Sequence, residues 1–216
     1  MKGFATLLTA LLMSVGTAYA DSLVTIRPFG TDSVNWSTLG AGLTTISNPF
    51  SFTTTDGISG NGSYASPTSP GQVRVQGPSW DGNFATGDFL NWNEGNGTLT
   101  LNFSSGYTQI GAQIETDGYG PFTAQICDVN INSCFTENGD SVSDNGSAIY
   151  IGIESSSPID SVTFSITSGN NLSDFAINEV TLNGSGTPVV PEPSSLLLLG
   201  TGLLGLAVTA RRRFAL

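Results

Sequence analysis

From Thr98 onward apolar and polar residues alternate with a period of two, the signature of β-strands with one buried face. Leu99, Leu101 and Phe103 share a face over Thr98–Phe103, as do Ile110, Ala112 and Ile114 over Gln109–Glu115. The pattern recurs with Phe122, Ala124 and Ile126, with Ile149, Ile151 and Ile153, and with Val162, Phe164 and Ile166. Asp174–Leu182 places Phe175 and Ile177 in phase, then Val180 and Leu182 one residue out of step, which predicts a β-bulge at Asn178–Glu179. Upstream the signal is shorter. Strands are expected at Leu23–Phe29, Leu43–Ile46, Phe50–Thr54 and Gln72–Gln76. Asp56–Gly71 is rich in Gly, Ser and Pro and reads as loop, and Gly77–Gly97 holds its aromatics in loop-like company. No helical period occurs between Asp21 and Thr187.

Short strands at this spacing, with Gly, Asn and Asp between them, predict an all-β, antiparallel two-sheet β-sandwich. A jelly roll is the preferred topology, an immunoglobulin-like Greek key the second. A parallel β-helix would need a fixed repeat length, and none is present.

The two ends of the chain follow other rules. Residues 1–20 read as a secretory signal peptide. Lys2 gives the positive start, Phe4–Val15 the apolar stretch and Ala18-Tyr19-Ala20 the cleavage site, so the mature chain is expected to begin near Asp21. The β-sandwich domain is then expected over 21–183 and a Gly/Ser/Pro linker over 184–190. Residues 191–216 have three parts: Pro191-Glu192-Pro193, an uncharged run over 194–210, and Arg211-Arg212-Arg213. As a helix, that run of 17 residues would span roughly 26 Å, enough for one transmembrane helix across a thin bilayer core. The arginines favour the cytoplasmic side and place the bulk of the chain outside. The two prolines keep the segment above the membrane extended, as a protease requires.

This order closely resembles the PEP-CTERM sorting signal of Gram-negative bacteria. The resemblance implies an exosortase, a membrane protease or transpeptidase, as partner. It also implies an inner-membrane intermediate and delivery to the cell surface or extracellular matrix. The segments GYGPFTAQICDVN, AIYIGIESSSPIDSVTFSIT and DFAINEVTL resemble the exported jelly-roll-like domains that often precede such tails, with Asp174-Phe175-Ala176-Ile177 matching their closing strand. That second resemblance implies a fold and little more.

Charge and missing residue types narrow the function. Between the two end segments stand two basic residues, Arg27 and Arg74, against sixteen acids, a net charge of −14. No cationic surface is available for nucleic acid or anionic headgroups. Histidine is absent, and lysine is absent after Lys2. His-based triads, His metal ligands, Schiff bases and Ser-Lys chemistry are therefore excluded. Nothing in the spacing of Asp and Glu singles out a hydrolytic pair, and no catalytic residue is assigned.

Three kinds of site remain. Cys127 and Cys134 flank DVNINS in an exported chain and are expected to form a disulfide across a hairpin. Calcium is the one metal worth naming. Asp140 and Asp144 lie in a Gly/Asn-rich stretch, Asp56 and Glu179 are further oxygen donors, and analogy with carbohydrate-binding jelly rolls adds Asp174. Solvated turn acids are the competing account of the same residues. For sugar binding, Trp80, Asp81, Asn83 and Trp92 combine aromatic faces with hydrogen-bonding side chains, with Trp36, Tyr107 and Tyr119 as further aromatics. The competing account is that these rings cap the open ends of the core. The expected role is a non-catalytic structural or adhesive component of the cell surface or exopolysaccharide matrix. A calcium-stabilised carbohydrate-binding module is the alternative, and an extracellular polysaccharide hydrolase a further one.

Overall fold

The computed structural model describes residues 21–185 apart from 67, 81, 83 and 143–147, with residue 185 described by backbone alone. The predicted signal peptide, the tail with the transmembrane helix predicted over 194–210 and most of the predicted linker lie outside the described residues. So do Asp81, Asn83, Asp144, Pro191, Glu192, Pro193 and Arg211 to Arg213. No helix among the described residues is long and apolar enough to cross a membrane.

The protein is all-β. Among the described residues thirteen strands join through antiparallel pairing, and the one helix is a 3-10 turn at Trp36–Leu39. In chain order they are β1 (Asp21–Val24), β2 (Asp32–Val34), β3 (Thr45–Ile46), β4 (Phe50–Thr53), β5 (Ser59–Tyr64), β6 (Gly71–Val75) and β7 (Phe89–Trp92). There follow β8 (Leu99–Thr116), β9 (Gly120–Asp128), β10 (Ser133–Ser141), β11 (Ile149–Ser168), β12 (Phe175–Ile177) and β13 (Val180–Ser185).

Two strands carry the rest. β8 has 18 residues and β11 has 20, and each absorbs two of the separately expected strands. One edge of β8 pairs with β11 in two stretches, Ile114–Gln109 against Ile149–Glu154 and Asn102–Leu99 against Ser161–Phe164. Along its other edge β8 holds β5, β13 and β12 in turn. The outer edge of β11 takes β1 and β9, and β10 closes that side. Between the two stretches the register slips twice, around Pro158. Proline has no N–H to give a ladder, so it sits where the ladder is already interrupted.

The alternating residues face one continuous core. Leu99, Leu101, Ile110, Ile114, Ile126, Ile151, Ile153, Val162, Phe164, Phe175 and Leu182 are fully buried. Trp36, Phe50, Phe52, Phe103 and Tyr107 form a chain of edge and tilted ring contacts within it. Cys127 and Cys134 stand opposite each other in the β9–β10 hairpin, 4.1 Å apart at Cα, and form the expected disulfide.

Four expectations are corrected. The strand expected over Leu23–Phe29 stops at Val24, and the chain turns away to reach Glu179 through Arg27. Of Leu43–Ile46 only Thr45–Ile46 is strand, because Leu43 has a positive φ of 72°. Phe89–Trp92, read as loop, is β7; covered on both faces, it shows no alternation to detect. Within the expected Asp56–Gly71 loop lies β5. Its glycines hide the strand from the sequence and make it possible. A Cβ on Gly60 would stand 2.3 Å from the Phe52 ring, and one on Gly62 2.1 Å from the Phe50 ring.

The predicted bulge is present. β12 pairs Ile177 with Ile114 and β13 pairs Thr181 with Gly111, so one extra residue separates the two registers. Asn178 fills the gap: its N–H donates to Gln113 O, and its Oδ1 accepts from Gln113 N at 3.0 Å.

Gly62→Ala drives a methyl into the Phe50 ring. It is expected to lower unfolding free energy by about 1–3 kcal/mol, read as a shifted midpoint in urea melts with an unchanged β-sheet circular dichroism spectrum.

Candidate functional site

Two places gather chemistry at the surface. The first grows from the outer face of β6, β7 and β12. Residues 76–88 fold back over that face. Gly77 N–H bonds Trp80 O, Trp80 N–H bonds Val75 O, and Phe84 N–H bonds the Gln76 side chain. This lays Trp80 and Phe84 on Leu90 and Ala176, with Ala148 and Trp92 completing a second, smaller core.

Trp92 is held from both sides. The Arg74 guanidinium lies 4.1 Å from its ring centroid, and Trp80 lies 6.0 Å away. Its indole N–H donates to Asp174 Oδ1 at 2.6 Å. Burial pushes the Asp174 carboxyl above its ordinary value; the Trp92 hydrogen bond opposes this, and the charges of Asp117 and Glu94 add to the rise.

A cavity of about 110 Å³ opens beside this core, lined by Trp80, Gly82, Glu115, Thr116, Asp117, Tyr119 and Ser141. Glu115 is 1% exposed and accepts the Ser141 hydroxyl at 2.6 Å. Trp80 is 8% exposed, and its indole N–H is buried with no hydrogen-bond partner. Tyr119 lies at the rim, 55% exposed.

The second place is a cleft of about 390 Å³ between the β1–β2 connection and β13, lined in part by Arg27, Phe29, Thr31, Ser33 and Glu179. Arg27 Nη2 meets Glu179 Oε2 at 2.5 Å, and the Ser33 hydroxyl donates to Glu179 Oε1 at 2.7 Å. The Phe29 ring is wholly exposed at its edge. Asp32, also in its lining, is buried. Its carboxylate accepts from the N–H groups of Ser33 and Asp56, from the Thr55 hydroxyl and, at 2.6 Å, from Tyr107 Oη. Burial alone would raise this carboxyl. Hydrogen bonds from Thr54, Tyr107, Asp56 and Thr55 outweigh it and hold the pKa at about 2. The same contact and its own burial push the Tyr107 phenol up.

The sequence-named residues separate on these grounds. Trp36 and Tyr107 belong to the core, each with its polar atom bonded, Trp36 to Asn178 O at 2.7 Å and Tyr107 to Asp32. Trp80 and Trp92 come together, but flat against the second core and not as an open platform. Asp140 is an exposed β10 residue, not a loop residue. Asp174 is committed to Trp92. No group of three metal-ligating side chains occurs among the described residues. Glu115, Ser141 and the Arg27–Glu179 pair were not singled out by the sequence. Alternation alone places Glu115 on the wet face of β8, but Trp80 and Ser141 come from elsewhere in the chain to lie beside it.

A model of the PEP-CTERM protein-sorting motif matches residues 189–213, and the chain carries that motif. No curated protein matches the chain. Among solved structures, a mutant of the family 29 carbohydrate-binding module CBM29-2 is 14% identical, with a TM-score of 0.27, over 82% of this chain and 99% of that one. CsCBM6-3 from Clostridium stercorarium, in complex with cellobiose, is 10% identical, with a TM-score of 0.24, over 76% and 94%. Both scores are too low to show a shared fold.

Asp32 carries a pH signature. A carboxyl whose pKa is depressed on folding stabilises the protein above its unfolded value of 3.8 and loses that contribution as pH falls towards about 2. The loss is expected to be about 2 kcal/mol between pH 4 and pH 2. Urea melts of the parent protein should show this step, and Asp32→Asn should be less stable at pH 7 with the step reduced.

Proposed function

We propose that this protein is an exported component of the cell surface or exopolysaccharide matrix, delivered by an exosortase and structural or adhesive in role. The observation that carries this is the sorting motif over residues 189–213. In this reading residues 1–20 direct export, the 194–210 helix holds an inner-membrane intermediate with Arg211 to Arg213 inside, and the exosortase acts near Pro191-Glu192-Pro193. In this reading the delivered domain is a two-sheet β-sandwich of jelly-roll type built on the long β8 and β11.

The chemistry of the domain fits an extracellular scaffold. A cystine staples the β9–β10 hairpin, and the surface is poor in charge. Both strongly held carboxylates, Asp32 and Asp174, are spent on structural hydrogen bonds.

A second reading is that the domain also binds carbohydrate. One observation favours it: Tyr119, 55% exposed, stands with Trp80 and Glu115 in the lining of one small cavity. Calcium has less support, since Asp174 is engaged by Trp92 and no group of three metal-ligating side chains occurs among the described residues.

Replacing Pro191, Glu192 and Pro193 together by alanine tests the main reading. In the native host the parent protein is expected in the surface or matrix fraction and the variant in the inner membrane. Equal distribution of the two would contradict it.

A further inference from the structure

We infer that the cleft between the β1–β2 connection and β13 binds a neutral saccharide, with two neighbouring hydroxyls on the Arg27–Glu179 pair and one C–H face of the sugar ring on Phe29. This rests on the carbohydrate-binding reading above and gives that reading a second address, apart from the Tyr119 cavity.

The cleft is built before any ligand arrives. Thr31 N–H donates to Leu182 O at 3.1 Å and to Asn183 Oδ1 at 2.9 Å, which ties the connection to β13. Thr55 N–H donates to Ser33 O at 2.9 Å, and the buried Asp32 carboxylate accepts from Asp56 N–H. The Ser33 hydroxyl holds Glu179 through Oε1, and Arg27 meets it at Oε2. A site already tied down loses little freedom on binding. Its volume of about 390 Å³ falls in the roughly 300–1,000 Å³ range of small-molecule sites.

Both members of the ion pair keep hydrogen-bonding capacity. A guanidinium has five N–H donors, and the structure commits one nitrogen, Nη2, to Glu179. A carboxylate has about four acceptor positions, and Glu179 has two of them filled. The two side chains are 39% and 35% exposed, and both line the cleft. A donor and an acceptor therefore stand side by side, 2.5 Å apart. Two neighbouring hydroxyls of a sugar ring present the complement: one accepts from Arg27 while the other donates to Glu179. Hydrogen bonds to charged groups are the strong ones.

Phe29 supplies the other half. It lines the cleft, is wholly exposed, and belongs to neither hydrophobic cluster of the domain. An aromatic face for the C–H side of a ring, beside a donor and an acceptor for its hydroxyls, is the arrangement that holds saccharides in water.

Three other ligands fit less well. An anion would find the Arg27 charge already met by Glu179, with Asp32 in the wall and a domain net charge of −14. A metal ion would face the guanidinium, and no group of three metal-ligating side chains occurs among the described residues. An apolar ligand would strip water from the ion pair without replacing its hydrogen bonds.

The linkage of the ligand supplies the test. A 1,4-linked hexaose keeps its neighbouring 2- and 3-hydroxyls free on every residue, whereas a 1,3-linked one keeps no neighbouring pair on its inner residues. Protein purified from its native host is titrated by calorimetry with 1,4-linked hexaoses of glucose, mannose and xylose, with the 1,3-linked glucose hexaose, and with a 1,4-linked galacturonic acid hexamer. At least one neutral 1,4-linked hexaose is expected to bind, about tenfold or more tighter than the last two, the equivalent of one hydrogen bond. It is expected to shift the ¹⁵N–H resonances of Gly30, Thr31 and Ser33. Phe29→Ala should weaken binding about tenfold with an unchanged urea midpoint, since the ring packs in no core. Arg27→Lys, which keeps the charge and loses the planar fork, should weaken it by a similar factor. Unchanged affinity in both variants would overturn this site while leaving carbohydrate binding in place. A loss on Tyr119→Ala with none on Phe29→Ala would do the same and move the sugar to the smaller cavity. Equal binding of the 1,3-linked hexaose would overturn the contact with neighbouring hydroxyls, and tighter binding of the galacturonic acid hexamer would overturn the neutral ligand class. Failure of every saccharide to bind would overturn both readings.

Discussion

Everything in this domain hangs on the pairing of β8 with β11. Each is long enough to hold several partners, and each places a run of isoleucine, valine, leucine or phenylalanine inward. Neither could stay paired without burying those rows, and the rows cannot be buried unless the shorter strands cover them. β5, β13 and β12 fill one edge of β8, while β1 and β9 fill the outer edge of β11. One end of the strand order is left to β10, which the Cys127–Cys134 bond ties to β9, and the other to β3. A covalent staple at an edge guards it against pairing with other chains.

The domain uses little charge, so its buried polar work is done by amides and hydroxyls. Asn93 bonds Gly97 O, Ser173 O and Phe175 N, and Asn96 bonds Ser69 in both directions. Asn178 stands in for backbone at the bulge. Each joins segments far apart in sequence through groups whose hydrogen bonds are met, which is the condition for burying them at all. Arg27–Glu179 is the ion pair among the described residues, and both side chains are partly open to solvent. With few ion pairs to disrupt and a net charge of −14 to screen, such a domain should lose little stability in added salt. That behaviour suits a protein delivered to an uncontrolled exterior.

Much of this was legible in the sequence, and the failures share a cause. Strands with one wet face announce themselves by alternation, and the stretches of β8, β9, β11, β12 and β13 were read with their inward residues, bulge included; β10, with no apolar alternation, was in part read as loop. β5 was missed because its pattern is glycine, left small for the rings of Phe50 and Phe52. β7 was missed because the fold-back of residues 76–88 buries its second face. The same fold-back packs Trp80 on Leu90 and Ala176, as the core-capping account of this ring has it, and brings Glu115 beside it. Alternation reports only local burial. A site made where a loop covers a sheet depends on contacts between residues 80, 115, 119 and 141, which no local pattern records. The sorting motif was legible because it is one contiguous run of residues.

The central claim is that the β domain is a cargo released from its tail. Intact mass of the protein isolated from its native host tests this most directly. The account predicts a chain that begins near Asp21 and ends near Pro191–Ser195, found at the surface or in the medium. A mass that retains Arg211 to Leu216, on protein confined to the inner membrane, would contradict it.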